Sequence, residues 1–190
     1  MSAIHVACRL SITVCAASLL LALAGCGKSN HPATEENDGV YVQAGPITYQ
    51  LQLSRELNQY ATEDAQYLTG LPSGTPPLAA NEEWYGVFLW AKNQTKQTEV
   101  TSDNFDIVDT QGTHYHPVAV DSALNPYAWK PQPLSPGATE PGPDTTASFG
   151  PTQGGLLLFK LNTSVYDNRP LTLEIRGPTQ KVWGTISLDL

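Results

Sequence analysis

Cysteine is almost missing where it could cross-link. The three cysteines are Cys8, Cys15 and Cys26, and the first two sit inside an apolar N-terminal segment. If that segment is removed, one thiol remains. An intrachain disulfide, a cysteine-based zinc site and a pair of catalytic thiols are then all excluded. Basic residues are scarce as well, 10 against 18 acids. The acidic surface this implies repels nucleic acid and anionic headgroups, so neither is expected as a partner. No apolar run is long enough to span a bilayer. The longest, residues 10–25 (LSITVCAASLLLALAG), falls short of the roughly 20 residues that about 30 Å of hydrocarbon demands. A Gly-x-Ser-x-Gly elbow, a phosphate-cradling glycine loop and an internal repeat are also absent from the chain. No catalytic residues can be named, and the chain is read as a non-enzyme without a cofactor.

The N-terminus has the order of an export signal. A short segment with Arg9 is followed by the apolar run, then by Leu23-Ala24-Gly25-Cys26 and polar chain. These last four residues resemble the lipobox of bacterial lipoprotein precursors. The resemblance implies cleavage after Gly25, which frees the Cys26 amine, and a diacylglycerol with palmitate-class acyl chains on the Cys26 thiol. Residues 1–25 are thus expected to be a signal peptide. The mature protein would be lipid-anchored to the cell membrane on its extracytoplasmic face. Without residues 1–25 the chain has nine basic and eighteen acidic residues, a net charge of −9.

Residues 26–40 hold the lipidated cysteine and a polar stretch (GKSNHPATEENDGV) with little worth burying, so a flexible tether is expected there. Residues 41–190 form the domain. With 15 prolines and 15 glycines in the chain, long helices are disfavoured. Residues 47–53 (ITYQLQL) alternate as a half-buried strand does. Residues 61–68 permit a short helical turn. Residues 84–93 (WYGVFLWAKN) are apolar on both faces, as a central strand covered on each side would be, with Trp90 in the core and Gly86 at a bulge or close backbone approach. Residues 105–109 and 113–118 make a hairpin across Asp109-Thr110-Gln111-Gly112. Residues 119–153 carry seven prolines between Pro126 and Pro151 and are expected to be mostly loop. Residues 156–161, 171–176 and 182–190 supply three closing strands. Seven or eight short strands without βαβ alternation predict an all-β fold, an antiparallel sandwich, with a closed barrel as the alternative.

Three segments carry a further likeness: WYGVFLWAKNQ ending in Asn93, the hairpin FDIVDTQGTHYHP, and LSPG at 134–137 followed by GLLLFKL and LTLEI. In this order they resemble a family of immunoglobulin-like domains of unknown function found on bacterial lipoproteins and secreted antigens, related in fold to the immunoprotective extracellular antigens. The resemblance implies an immunoglobulin-like sandwich and an extracytoplasmic address, and it brings no catalytic residues. The chain departs from the family at 139–153, where strand assignment stays open.

Several clusters invite a chemical reading. His114 and His116, two apart on a strand, would share a face and could hold zinc or copper, with Asp106, Asp109 or Asp121 as a third ligand. Two exposed histidines beyond a turn explain the same residues more simply. Asp103, Asp106 and Asp109 lack the alternating spacing and the glycine of a calcium loop. Tyr127 and Trp129, in the loop 124–137, are either an exposed contact surface for an extracytoplasmic protein or glycan, or a cap on the core. The expected function is a tethered binding or scaffold module using that loop. A metal-handling lipoprotein using His114 and His116 is the alternative.

Overall fold

The computed structural model describes residues 34–35 and 41–188. The signal segment, Cys26 and most of the tether lie outside the described residues. Twelve strands run in chain order: β1 (Thr34–Glu35), β2 (Tyr41–Ala44), β3 (Ile47–Leu57), β4 (Glu82–Asn93), β5 (Glu99–Val100), β6 (Asn104–Val108), β7 (His114–Tyr115), β8 (Pro133–Leu134), β9 (Thr139–Glu140), β10 (Gly155–Asn162), β11 (Leu171–Arg176) and β12 (Val182–Leu188). Seven of them have four residues or more. Two short helices, α1 (Thr62–Ala65) and α2 (Thr146–Phe149), and 3-10 turns at Gln66–Leu68 and Thr163–Asn168 complete the set. Among the described residues no helix is long and apolar enough to cross a membrane.

One sheet has the order β10-β4-β3-β2, with β9 also on β4. The second has the order β1-β12-β11-β6-β7, and β5 pairs with β8 apart from both. All pairings within the two sheets are antiparallel except that of β1 with β12. The fold is an antiparallel β-sandwich, as the strand spacing predicts. Thr34 and Glu35 depart from the tether expectation, since they pair in parallel with Thr185 and Ile186.

The alternation of each strand decides what is buried. On β11, Leu171, Leu173 and Ile175 are buried and the residues between them are not. On β4, Tyr85, Val87, Leu89 and Ala91 face the main core between the sheets, with Tyr49, Leu51, Phe105, Ile107 and Phe159. The other face of β4 is covered too. Trp84 and Phe88 pack with Leu57, Tyr67, Tyr127, Ala147, Leu156 and Leu158 in a second apolar cluster. The chain after β3 and the proline-rich stretch supply that cover, so the doubly apolar strand is a central one. Gly86 sits there as a close approach, not a bulge: a Cβ would lie 3.1 Å from Leu57 Cδ1 and Phe88 Cε2.

The bulge is on β3. Leu51 pairs with Leu89 and Leu53 with Phe88, leaving Gln52 as the extra residue. A one-residue insertion reverses the side-chain parity. Leu51 therefore joins the main core, while Leu53 and Leu57 turn to the second cluster. Trp90, expected in the core, is only half-buried, and its buried indole N–H has no partner. The second histidine strand is two residues long instead of six. Pro117 cannot donate to the ladder, and the Val118 N–H instead meets the Leu158 carbonyl at 2.7 Å.

Candidate binding cleft

The aromatics of the 124–137 loop do not reach its surface. Tyr127 and Trp129 are 7% and 8% exposed. Asn125 explains why: fully buried, it donates from Nδ2 to the carbonyls of Tyr67 and Thr69 at 2.9 and 3.0 Å, and its Oδ1 accepts the Tyr127 N–H at 2.9 Å. This clamp fastens the loop to the layer around α1. Tyr127 then meets Tyr67 edge-on at 4.9 Å, while Trp129 meets Phe105 edge-on at 5.5 Å and donates from Nε1 to the Ser102 carbonyl at 2.9 Å. Both polar tips are satisfied and both rings are core. Asn93, conspicuous at the end of β4, is also structural. It is buried, donates to the carbonyls of Gln97 and Leu134, and accepts from Thr95.

The histidines reach the outer face of the second sheet, where each sets Nδ1 on the same carboxylate. Asp106 Oδ2 is 3.2 Å from His114 and Oδ1 is 2.5 Å from His116. Of the three acids considered beside them, only Asp106 is there. Asp109 closes the hairpin turn through the N–H groups of Gln111 and Thr113 and the Tyr115 hydroxyl. Burial pushes its carboxyl up, but these hydrogen bonds outweigh that and hold it below the usual range. Asp121 caps a turn at Ala123, against Gly70. The Asp103, Asp106 and Asp109 series does not form one site, since β6 separates its ends.

Across the same face Arg176 Nε lies 3.0 Å from Asp106 Oδ2, and Nη2 bonds Glu174. Asp106, His114 and Glu174 each offer a ligand atom within 4.8 Å of the others, and His116 is not in that set. A guanidinium that stays charged already stands against both carboxylates. The cluster is an ion network closed by arginine.

Beside this network a cleft of about 460 Å³ opens between the chain entering β6 and the β11–β12 turn. Ser102, Asp103, Asn104, Arg176, Gln180 and Trp183 line it, with Val100, Thr101, Pro131 and Pro178. Sequence reasoning placed Trp183 in a strand and did not see it as part of a site. Ile175 pairs with Gly184 and Arg176 with Val182, so Trp183 is a bulged residue freed from the ladder. Its ring rests on Gly45 and Gly177, where a Cβ on either would enter the indole. Gln180 has φ of +64°, a left-handed conformation uncommon outside glycine and asparagine. Arg176 Nη1 donates to the Gln180 carbonyl at 2.9 Å, and Asn104 Nδ2 donates to Gln180 Oε1 at 2.8 Å. Below them the Ser102 N–H donates to the buried Tyr49 hydroxyl at 2.7 Å. The wall is thus tied to the core, and among the polar side chains of the lining Asp103 is the one exposed without a hydrogen bond or ion pair. A signal was present in the sequence: Gly177-Pro178 and Trp183-Gly184 bracket the turn with residues that a regular hairpin does not need.

No family model and no curated protein matches the chain. Among solved structures it is similar to the yjhA protein of Bacillus subtilis, at 12% identity and a TM-score of 0.53, over 81% of this chain and 99% of that one. A second similar structure is an uncharacterised β-sandwich protein of Clostridium difficile 630, at 11% identity and a TM-score of 0.42, over 85% and 97% of the two chains. The likeness to the Bacillus protein lies in the fold, which the two chains share over nearly the whole of its length.

Proposed function

We propose that this chain is a lipoprotein anchored through Cys26 on the extracytoplasmic face of the membrane, and that it works as a non-enzymatic binding module. The address rests on Arg9, the apolar run and Leu23-Ala24-Gly25-Cys26. The binding role rests on one observation, the cleft. Its side chains come from strand ends, the loops beside them and a bulge, its wall is hydrogen-bonded in advance, and a strained residue, Gln180, is kept in it. The contact surface of the sandwich is therefore the cleft, and no longer the 124–137 loop.

Two measurements test this. Wild type grown with labelled palmitate should incorporate it, and Cys26→Ser should not; labelling of the variant defeats the lipoprotein reading. A photo-cross-linking residue at the position of Val100, which lines the cleft and is exposed, should capture envelope material in intact cells, with capture lost on Trp183→Ala. Equal capture from the position of Tyr60, 88% exposed and outside the cleft, defeats the binding reading.

A further inference from the structure

We infer that the ligand of the cleft is a neutral saccharide, held as a single pyranose ring or a short run of them; this deepens the binding-module reading and rests on it. The first argument is charge. Two ionisable groups line the cleft, Asp103 and Arg176. Arg176 is engaged by Asp106 and Glu174, so it offers no spare positive charge to an anion. The unpaired carboxylate of Asp103 and the chain's excess of acids repel one.

The second argument is hydrogen-bonding type. A sugar hydroxyl both donates and accepts, so its site needs both kinds of partner side by side. Asp103 supplies acceptors. Gln180 has its Oε1 engaged by Asn104 and keeps its Nε2 donors, and Asn104 keeps its Oδ1 acceptor. These groups are planar and two-pronged, the shape that meets neighbouring hydroxyls.

The third argument is the indole. A pyranose has an apolar C–H face, and Trp183 supplies apolar surface to the cleft from a ring already fixed against Gly45 and Gly177. A ring fixed beforehand loses little freedom on binding. The cleft volume, about 460 Å³, lies within the usual range of small-ligand sites.

The test uses the full chain in detergent micelles, titrated with cellotriose, maltotriose and chitotriose, and with tetramethylammonium as a cationic probe. At least one trisaccharide should saturate with a Kd of about 1 mM or tighter. Asp103→Ala should weaken it at least about tenfold, which is ~1.4 kcal/mol. Trp183→Ala should abolish it, and His116→Ala should leave it unchanged. Asp103→Ala removes an exposed side chain that makes no bonds, so it keeps the test decisive even if Trp183→Ala fails to fold. The inference is overturned if no trisaccharide binds, if binding ignores Asp103→Ala, or if tetramethylammonium binds in their place through Asp103. If the saccharides fail while capture from position 100 persists, the saccharide assignment falls and the binding module stands. If both fail, both fall.

Discussion

Both faces of the β10-β4-β3-β2 sheet bury an apolar cluster, but they are covered by different means. One meets a second sheet, strand against strand, with alternating residues from both. The other meets short helices and loops, among them a stretch dense in proline that brings Tyr127, Val118, Val120 and Ala147 onto Trp84 and Phe88. A proline-rich segment cannot join a ladder, yet it can still form a layer if buried asparagines clamp its backbone, as Asn125 does. Irregular chain is therefore not the same as exposed chain, and Tyr127 and Trp129 within it belong to the core as fully as aromatics on strands.

The sharpest way to break this two-faced arrangement is at Gln52. The bulge lets β3 serve the main core with Leu51 and the second cluster with Leu53 and Leu57. Deleting Gln52 restores a regular register and sends one of those sets to the wrong face. The loss should exceed about 5 kcal/mol, enough to unfold a domain of ordinary stability. A deletion variant with a native unfolding midpoint would show that the bulge does not assign the faces.

Next in size are the loop aromatics. Trp129→Ala and Tyr127→Ala should each cost about 3–5 kcal/mol in urea unfolding, one through the main core and one through the second cluster. A loss below about 1 kcal/mol for Tyr127→Ala alone would mark the loop layer as a loose cover that adds little to the fold.

What the sequence disclosed follows the same division. Strand alternation made β3, β11 and β12 legible, continuous apolar runs did the same for β4 and β10, and turn chemistry marked Asp109–Gly112, because each is written into neighbouring residues. The second layer was not legible. Its contacts join residues about 60 apart, such as Tyr67 with Tyr127, and nothing in Asn125-Pro126-Tyr127 announces that Asn125 faces the carbonyls of Tyr67 and Thr69. The cleft was hidden for a related reason. A bulge suspends the alternation at Trp183, the one place where it was needed.

A smaller effect sharpens the contrast from the main-core side. Glu140 on β9 pairs with Ala91, whose side chain belongs to the main core. Its Oε2 is buried without a hydrogen-bond partner, and burial pushes the carboxyl up to about 7, with Lys130 opposing. The native state then holds this proton more tightly than the unfolded chain. The stability it contributes is full below pH 4.5, is lost as the pH rises towards 7, and stays lost above that. Between pH 5 and 8 wild type should lose about 2–3 kcal/mol that Glu140→Gln does not. Parallel pH profiles for the two proteins would place Glu140 in water.

The smallest expected effect concerns the outer face of the second sheet, which carries an ion network where the outer face of the first carries an apolar cluster. His114 and His116 have side chains 41% and 75% exposed, each resting on Asp106. Replacing both with Ala should cost less than about 1 kcal/mol, as for other exposed pairs. Zinc should leave the wild-type Tm within about 1 °C, because Arg176 already stands against Asp106 and Glu174. Removing that guanidinium reverses the expectation. Arg176→Gln leaves Asp106, His114 and Glu174 within 4.8 Å of one another with no cation among them. The variant should therefore be less stable than wild type and should recover part of the loss when zinc is added. If zinc stabilises wild type and the gain disappears on His114→Ala with His116→Ala, the histidines are ligands, and the arginine is a neighbour that yields its place to the metal.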